Sequence, residues 1–162
     1  MKLPFPYKKY RDVTEITAAD LSEMGVRGLL LDIDGTLAPT HAKDPEPRFL
    51  VWANKIKTAG VRLFILSNNR SSKRAEHYGR IMDCPWMHQA HKPRPEGFHK
   101  AARILGLQHW ELAVVGDQIY TDMLGARRAG MKGLLVNSID DVWYKPLRRL
   151  VEQPFLYKEV RK

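Results

Sequence analysis

Cysteine is almost missing from this chain: Cys84 stands alone among 162 residues, which excludes an internal disulfide and a thiolate metal cluster. Such usage fits a reducing compartment, and the lone thiol is expected to pack as a small buried hydrophobe. No apolar run approaches the roughly 20 residues that a membrane span needs, so a bilayer crossing is not expected. The opening Met1 to Tyr10 is positively charged but has two prolines and no continuous apolar stretch, so it fails as a secretory signal and points to the cytoplasm. Gly-rich phosphate loops are absent, which leaves kinase chemistry without support. Internal repeats and low-complexity tracts are absent too. Acid is scarce: 18 Asp and Glu face 27 Lys and Arg, for a formal charge of +9. That excess would attract polyanions or anionic lipid. The basic residues are scattered, however, and no nucleic-acid motif accompanies them.

What is present is the composition of an ordinary globular protein, 44% hydrophobic and 28% charged, at a length suited to one domain over residues 1–162. Thr17-Ala18-Ala19-Asp20 reads as a capped helix start running to Met24-Gly25, followed by a first strand from Gly28 to Ile33. Pro39, Pro45 and Pro47 mark a loop, after which Phe49, Trp52, Ala53, Ile56 and Ala59 recur at helical spacing before Gly60. Val61 to Leu66 predicts a strand, Ser71 to Arg80 a helix, and Trp86 to Ala90 a weak strand. A helix from Glu96 to Gly106, a strand from Leu112 to Val115, a helix ending at Gly130 and a strand from Gly133 to Val136 complete the pattern. Beyond Ile139 the chain reads as helical, with Pro146 starting or kinking a helix. Alternation of this kind predicts an α/β fold: a three-layer, doubly wound parallel sheet with its chemistry at the strand carboxyl ends.

The most informative stretch is Leu29-Leu30-Leu31-Asp32-Ile33-Asp34-Gly35-Thr36-Leu37, an apolar strand ending in two carboxylates one residue apart. Acids placed together repel, and one takes up a proton unless a cation such as Mg²⁺ compensates; magnesium favours carboxylates together with phosphate oxygens. A calcium loop is discarded, because Gly35 falls too early and Thr36 stands where an acid or amide is wanted. Polar groups recur after four apolar runs: Asp32/Asp34, Ser67/Asn68, Lys92 and Asp117/Asp122. Each alone is weak, since Ser-Asn is a common turn and Asp a common cap. Together they supply a nucleophile, a metal site, oxygen-holding donors and a proton-handling acid, the parts that phosphoryl transfer needs.

At these residues the chain resembles the haloacid dehalogenase (HAD) superfamily of phosphohydrolases, whose signature is Asp-x-Asp-x-Thr, then Ser/Thr, Lys, and Gly-Asp followed by a second acid. The resemblance implies that Asp32 attacks phosphorus and becomes an aspartyl phosphate, while Asp34 protonates the leaving alcohol and later activates water. It implies that Thr36, Ser67 and Asn68 contact the phosphoryl group and that Lys92 balances charge and orients Asp32. Asp117 would bind Mg²⁺ with Asp32 and the Asp34 main-chain carbonyl, and Asp122 would support the metal. An acid at Asp34 marks phosphatases and speaks against dehalogenation. The spacings from Asp34 to Ser67 and on to Lys92 have no room for a large cap domain, so an open site is expected.

A closer likeness, to the YqeG-like group of capless phosphatases, rests on Leu-Leu-Leu-Asp, Ser-Asn-Asn, His-Lys-Pro, the Gly116 to Asp122 stretch and a late Arg-Arg-Leu-Val-Glu. Gly35 departs from the Asn common there. Phosphatidylglycerophosphate phosphatases occur in that group, which implies an anionic lipid substrate met peripherally at the membrane surface. Phe5, Tyr7, Lys8, Lys9 and Tyr10, with Trp143, Tyr144, Lys145, Arg148 and Arg149, are the candidate interfacial residues, although core packing is the simpler use of such aromatics. The alternatives are a phosphatase of soluble nucleotide or sugar phosphates, and an RNA- or polyanion-binding protein on the same scaffold. Oligomeric state is not encoded in any pattern found.

Overall fold

Strands buried on both faces read as continuous apolar runs, and the central strands of this fold do. The computed structural model describes residues 5–140. In chain order it contains β1 (Lys8–Tyr10), α1 (Ala18–Glu23), β2 (Gly28–Leu31), α2 (Pro47–Thr58), β3 (Arg62–Leu66) and α3 (Ser72–Met82). Then come β4 (Trp86–Met87), α4 (Pro95–Leu105), β5 (Leu112–Gly116), a single π-turn at Ile119–Met123, α5 (Leu124–Arg128) and β6 (Lys132–Val136). All six strands pair parallel, in the order β1-β6-β5-β2-β3-β4.

Alternate residues of β2 serve two cores. Leu29 and Leu31 join Leu63, Ile65 and Val115 against Phe49, Trp52 and Ile56 of α2 and Ala75, Tyr78 and Met82 of α3. Leu30 joins Phe64, Leu66 and Val114 against Phe98, Ala101, Ala102 and Leu105 of α4. The sheet is thus sandwiched between helical layers, the three-layer arrangement expected from alternation. The segment between β2 and α2 holds no inserted helix or strand, so a large cap is absent.

Prolines at first helical positions cost nothing, because the missing N–H is one the helix leaves unpaired anyway. Pro47 and Pro95 accordingly open α2 and α4, where the sequence pattern placed the starts slightly later. The lead-in read as irregular supplies the edge strand β1, paired with β6 through Lys8 to Tyr10. Tyr10 is buried, and Tyr7 and Phe5 pack against apolar clusters, so the lead-in aromatics serve the core. Cys84 is partly buried beside the core, and burial pushes its thiol up to about 12. The expected terminal helix, its Pro146, and the candidate interfacial residues from Trp143 to Arg149 lie outside the described residues.

Strands on either side of β2 connect in opposite directions, β3 following it in sequence and β5 arriving from the other side. Such a switch point opens a crevice at the strand carboxyl ends. Asp32 follows β2 and Asp117 follows β5, so both face that crevice from adjacent strands.

Candidate active site

Lys92 is the hub where the four loops meet. Its side chain is 3% exposed, and Nζ donates to Asp32 Oδ1 and to Asp122 Oδ1, each at 2.7 Å. One carboxylate oxygen from each of Asp32, Asp117 and Asp122 lies within 4.8 Å of the others. Three carboxylates against one ammonium leave two negative charges in excess, the amount one divalent cation balances. A donor set made only of oxygens suits a hard cation.

Burial raises the Asp32 carboxyl above its ordinary range, Lys92 pulls it back, and Asp122 and Asp117 push it up again. Asp122 is raised for the same reasons, burial first. Burial also opposes the Lys92 charge, but Asp122 and Asp32 outweigh it and keep the ammonium protonated well beyond its usual range. Charge in this cluster is therefore poorly solvated and short of cations, as a metal-binding acid site should be.

Local backbone explains how Asp122 reaches the cluster. The π-turn widens the chain at Ile119–Met123, with the N–H groups of Asp122 and Met123 both donating to the Gln118 carbonyl at 3.1 and 3.2 Å. Single π-turns of this kind recur at functional sites. The Gln118 N–H then donates to Asp122 Oδ2 at 3.2 Å. Gly116 is required because any Cβ there would overlap the Asp122 carboxylate. This is a physical reason for the Gly-Asp pair, and the sequence pattern alone did not supply it.

Lys92 is itself held by Asn68, whose amide spans the main chain of residue 92: Nδ2 donates to its carbonyl at 3.0 Å, and Oδ1 accepts its N–H at 2.8 Å. Asn68, expected to touch substrate, thus has its side chain engaged in fixing the lysine loop. Ser67 is buried, and its Oγ accepts the Asn69 N–H at 3.1 Å, leaving the hydroxyl proton for another acceptor. Thr36 Oγ1 is buried and has no hydrogen-bond partner among the described residues. An orphaned hydroxyl of this sort is costly unless a ligand accepts from it.

Asp34 stands apart from the acid trio. Arg74, in the first turn of α3, donates from Nε to Asp34 Oδ1 at 2.8 Å, and its other nitrogens bind the Ala42 and Pro39 carbonyls at 2.5 and 3.2 Å. The cation compensating Asp34 is therefore an arginine that the motif reading missed. Its signal was its place, one helical turn after Ser67-Asn68-Asn69 at the sheet's carboxyl edge. Burial still raises the Asp34 carboxyl, with Arg74 opposing. The loop turns tightly at Gly35, whose φ of +82° suits glycine, and Ile139 N–H donates to the Gly35 carbonyl at 2.9 Å. Asp140 accepts from both Thr40 N–H and Thr40 Oγ1 at 2.6 Å, so the chain leaving β6 closes over the acid loop.

Comparison with known proteins agrees with this geometry. A family model described as HAD-hydrolase-like matches residues 89–138. The Bacillus subtilis protein named Probable phosphatase YqeG is 30% identical over 163 residues, spanning 99% of this chain and 94% of its own length. Phosphatidylglycerophosphate phosphatase 1, chloroplastic, of Chlamydomonas reinhardtii is 26% identical over 80% of this chain and 51% of its own length. A crystal structure of an uncharacterised Corynebacterium glutamicum protein shares the fold, with a TM-score of 0.58 at 23% identity over 84% of this chain and 99% of that one. Fold and site define a capless hydrolase of the haloacid dehalogenase type. The chain belongs to the phosphatases of that family, in the group that includes YqeG.

Proposed function

We propose that this phosphatase, as one domain over residues 1–162, is a Mg²⁺-dependent phosphomonoester hydrolase working through an aspartyl phosphate, with phosphatidylglycerophosphate as its leading substrate. The observation that carries the reading is the buried Lys92 amine shared between Asp32 and Asp122 at 2.7 Å, with Asp117 completing a three-acid cluster. Asp32, Asp117 and Asp122 would hold the ion. When bound, magnesium supplies Lewis-acid polarisation of the phosphoryl oxygens and shields the nucleophile from their charge.

Asp32 Oδ attacks phosphorus, and the bond from phosphorus to the ester oxygen breaks. Asp34 gives the departing alkoxide its proton, a task suited to a carboxyl that burial raises. Thr36 Oγ1 and Ser67 Oγ donate to the phosphoryl oxygens, and the Lys92 ammonium lowers the charge facing Asp32. In the second half Asp34, now ionised, takes a proton from water as that water attacks the aspartyl phosphate, releasing inorganic phosphate and restoring Asp32.

The lipid part of the proposal draws on the name of the Chlamydomonas relative, on the +9 charge and on the absence of a large cap. An open site admits a phosphate carried on a membrane surface. No helix among the described residues is long and apolar enough to cross a bilayer, so the encounter would be peripheral. Hydrolysis of an aryl phosphate should require Mg²⁺ and vanish in Asp32→Asn. Phosphate release from phosphatidylglycerophosphate in mixed micelles should then exceed release from soluble nucleotide and sugar phosphates at least tenfold. The opposite preference would reject the lipid substrate, and metal-independent turnover by Asp32→Asn would reject the mechanism.

A further inference from the structure

Next to the loop that carries Lys92 lies a concave surface of about 550 Å³, between the residues after β4 and one face of α4. Its lining carries His88, His91, Arg94, Lys100 and Arg103 against a single acid, Glu96. Arg94, Lys100 and Arg103 are exposed, and none of them forms an ion pair with a described residue. Glu96 is thus the lone acid against three cations and two imidazoles lining one hollow. Like charges gathered in a concavity repel, and the potential they create concentrates anions there. The hydrolytic steps use none of these residues.

The hollow is fastened to the catalytic loops. Lys92 is the second residue of a turn closed by the Arg94 N–H donating to the His91 carbonyl at 2.9 Å. His91 and Arg94 are therefore within about 7 Å of each other, flanking the residue whose amine holds Asp32. The Gln89 and Ala90 N–H groups donate to the Asn69 and Ser67 carbonyls at 3.0 Å, and Asn68 spans the backbone of Lys92. On the other side Gly97 lets α4 press against the loop, since a Cβ there would come 2.5 Å from the Ala90 carbonyl oxygen. Gln89 and His91 adopt left-handed φ values of +48° and +55°, held by this surrounding network. The groove is thus preformed, with its position relative to Asp32 fixed by the same bonds that place Lys92.

We propose that the β4–α4 groove binds a second anionic group of the substrate, a phosphate on the same molecule as the phosphomonoester that is hydrolysed. The inference rests on the phosphatase reading above and deepens it: the preferred substrate class is an alcohol bearing two phosphates, one cleaved at Asp32 and one held by Arg94, Lys100 and Arg103. Guanidinium groups suit this, because their planar fork meets two phosphate oxygens at once. An uncapped enzyme has no lid to select its substrate, and a fixed anion subsite beside the nucleophile would supply that selectivity.

The same chemistry occurs in a phospholipid headgroup and in a soluble diphosphorylated alcohol, so the test uses both. Turnover is measured on glycerol 3-phosphate, on glycerophosphoglycerol phosphate as the deacylated headgroup, and on phosphatidylglycerophosphate in mixed micelles. The expected result is a kcat/KM at least tenfold higher for the soluble two-phosphate headgroup than for glycerol 3-phosphate, falling towards unity in Arg94→Ala/Lys100→Ala/Arg103→Ala. A charge-matched control, Lys55→Ala/Arg80→Ala/Arg128→Ala, should keep the ratio. No preference in the soluble pair, or a preference that survives the groove triple variant, overturns the proposal. A preference confined to micelles also overturns it, since attraction to the lipid surface then suffices. Calorimetric binding of the headgroup to Asp32→Asn, with and without the groove triple variant, separates the two readings. Groove-dependent binding without any hydrolysis by the unsubstituted enzyme would reject the phosphatase mechanism and keep the subsite, whereas binding that ignores the groove would reject the subsite alone.

Discussion

Replacing Lys92 by methionine keeps the length of the side chain and removes the one cation shared by two buried acids. At 2.7 Å and an effective dielectric near 20, each of its two ion pairs is worth about 6 kcal/mol of attraction. Burying the three charged groups offsets most of that. Removing one partner of a buried pair still costs about 3–5 kcal/mol, because the remaining charge is left uncompensated. An independent bound comes from protonation: an acid with an ordinary pKa near 3.9 can be neutralised at pH 7 for about 4 kcal/mol, and at pH 5 for about 1.5 kcal/mol. The two figures agree at neutral pH and give the sign of the pH dependence. The Lys92→Met protein should lose about 3–5 kcal/mol at pH 7 and clearly less at pH 5. In a chain of 162 residues that corresponds to a Tm lower by roughly 10 °C at pH 7. The assay is thermal and urea unfolding in EDTA at both pH values, repeated with Mg²⁺. With a larger excess of negative charge in its cluster, the variant should gain more from the metal than the parent does. Equal stability of the two proteins in EDTA at pH 7, or a loss that grows on acidification, would refute the reasoning.

Gly116→Ala places a methyl group on the Asp122 carboxylate and should cost about 1–3 kcal/mol while lowering aryl phosphatase activity at least tenfold. A variant with normal kcat would show that Asp122 is dispensable. Arg74→Ala frees the Asp34 carboxylate and two loop carbonyls, so kcat should fall tenfold or more with KM little changed, and Arg74→Lys should recover only part of it. Steady-state kinetics on an aryl phosphate decides this. Away from the site, burial would raise Asp12, but hydrogen bonds from Thr14 and Arg48 hold its carboxyl below the ordinary value. Its stabilising contribution is present above the unfolded pKa and is lost as pH falls through the folded one. The deficit of Asp12→Asn, about 1 kcal/mol at pH 7 from losing the charge that Arg48 faces, should accordingly shrink as the pH falls below about 4 in urea titrations.

The layers follow from features a one-dimensional pattern carries well, whereas the order of the strands came only with the structure. β2, β3, β5 and β6 are long apolar runs, and their right-handed crossovers leave few topologies. β1 escaped because Lys8 and Lys9 are exposed and only Tyr10 is buried, so no alternation or apolar run announces an edge strand of three residues. The acids, Ser67 and Lys92 stood out as candidates because each follows a strand and together they make a recurring chemical set. Arg74 did not, since an arginine in a charged helix looks like a solvated one until the fold turns that helix end towards Asp34. Asn68 was legible as a site position, but its grip on the Lys92 main chain depends on contact across 24 residues of sequence, which no local spacing encodes.

Thr40 binds Asp140 a hundred positions away, and Ile139 binds Gly35, so the segment after the last strand acts as a clasp on the loop that carries Asp34. In that segment Ile139 and Asp140 are not part of the acid trio. Its removal at residue 138 would nonetheless strip the Gly35 carbonyl and Thr40 of their partners. Tags, truncations or binding proteins at this end of the chain are therefore levers on the chemistry, and a catalytic core for engineering has to extend past the final strand.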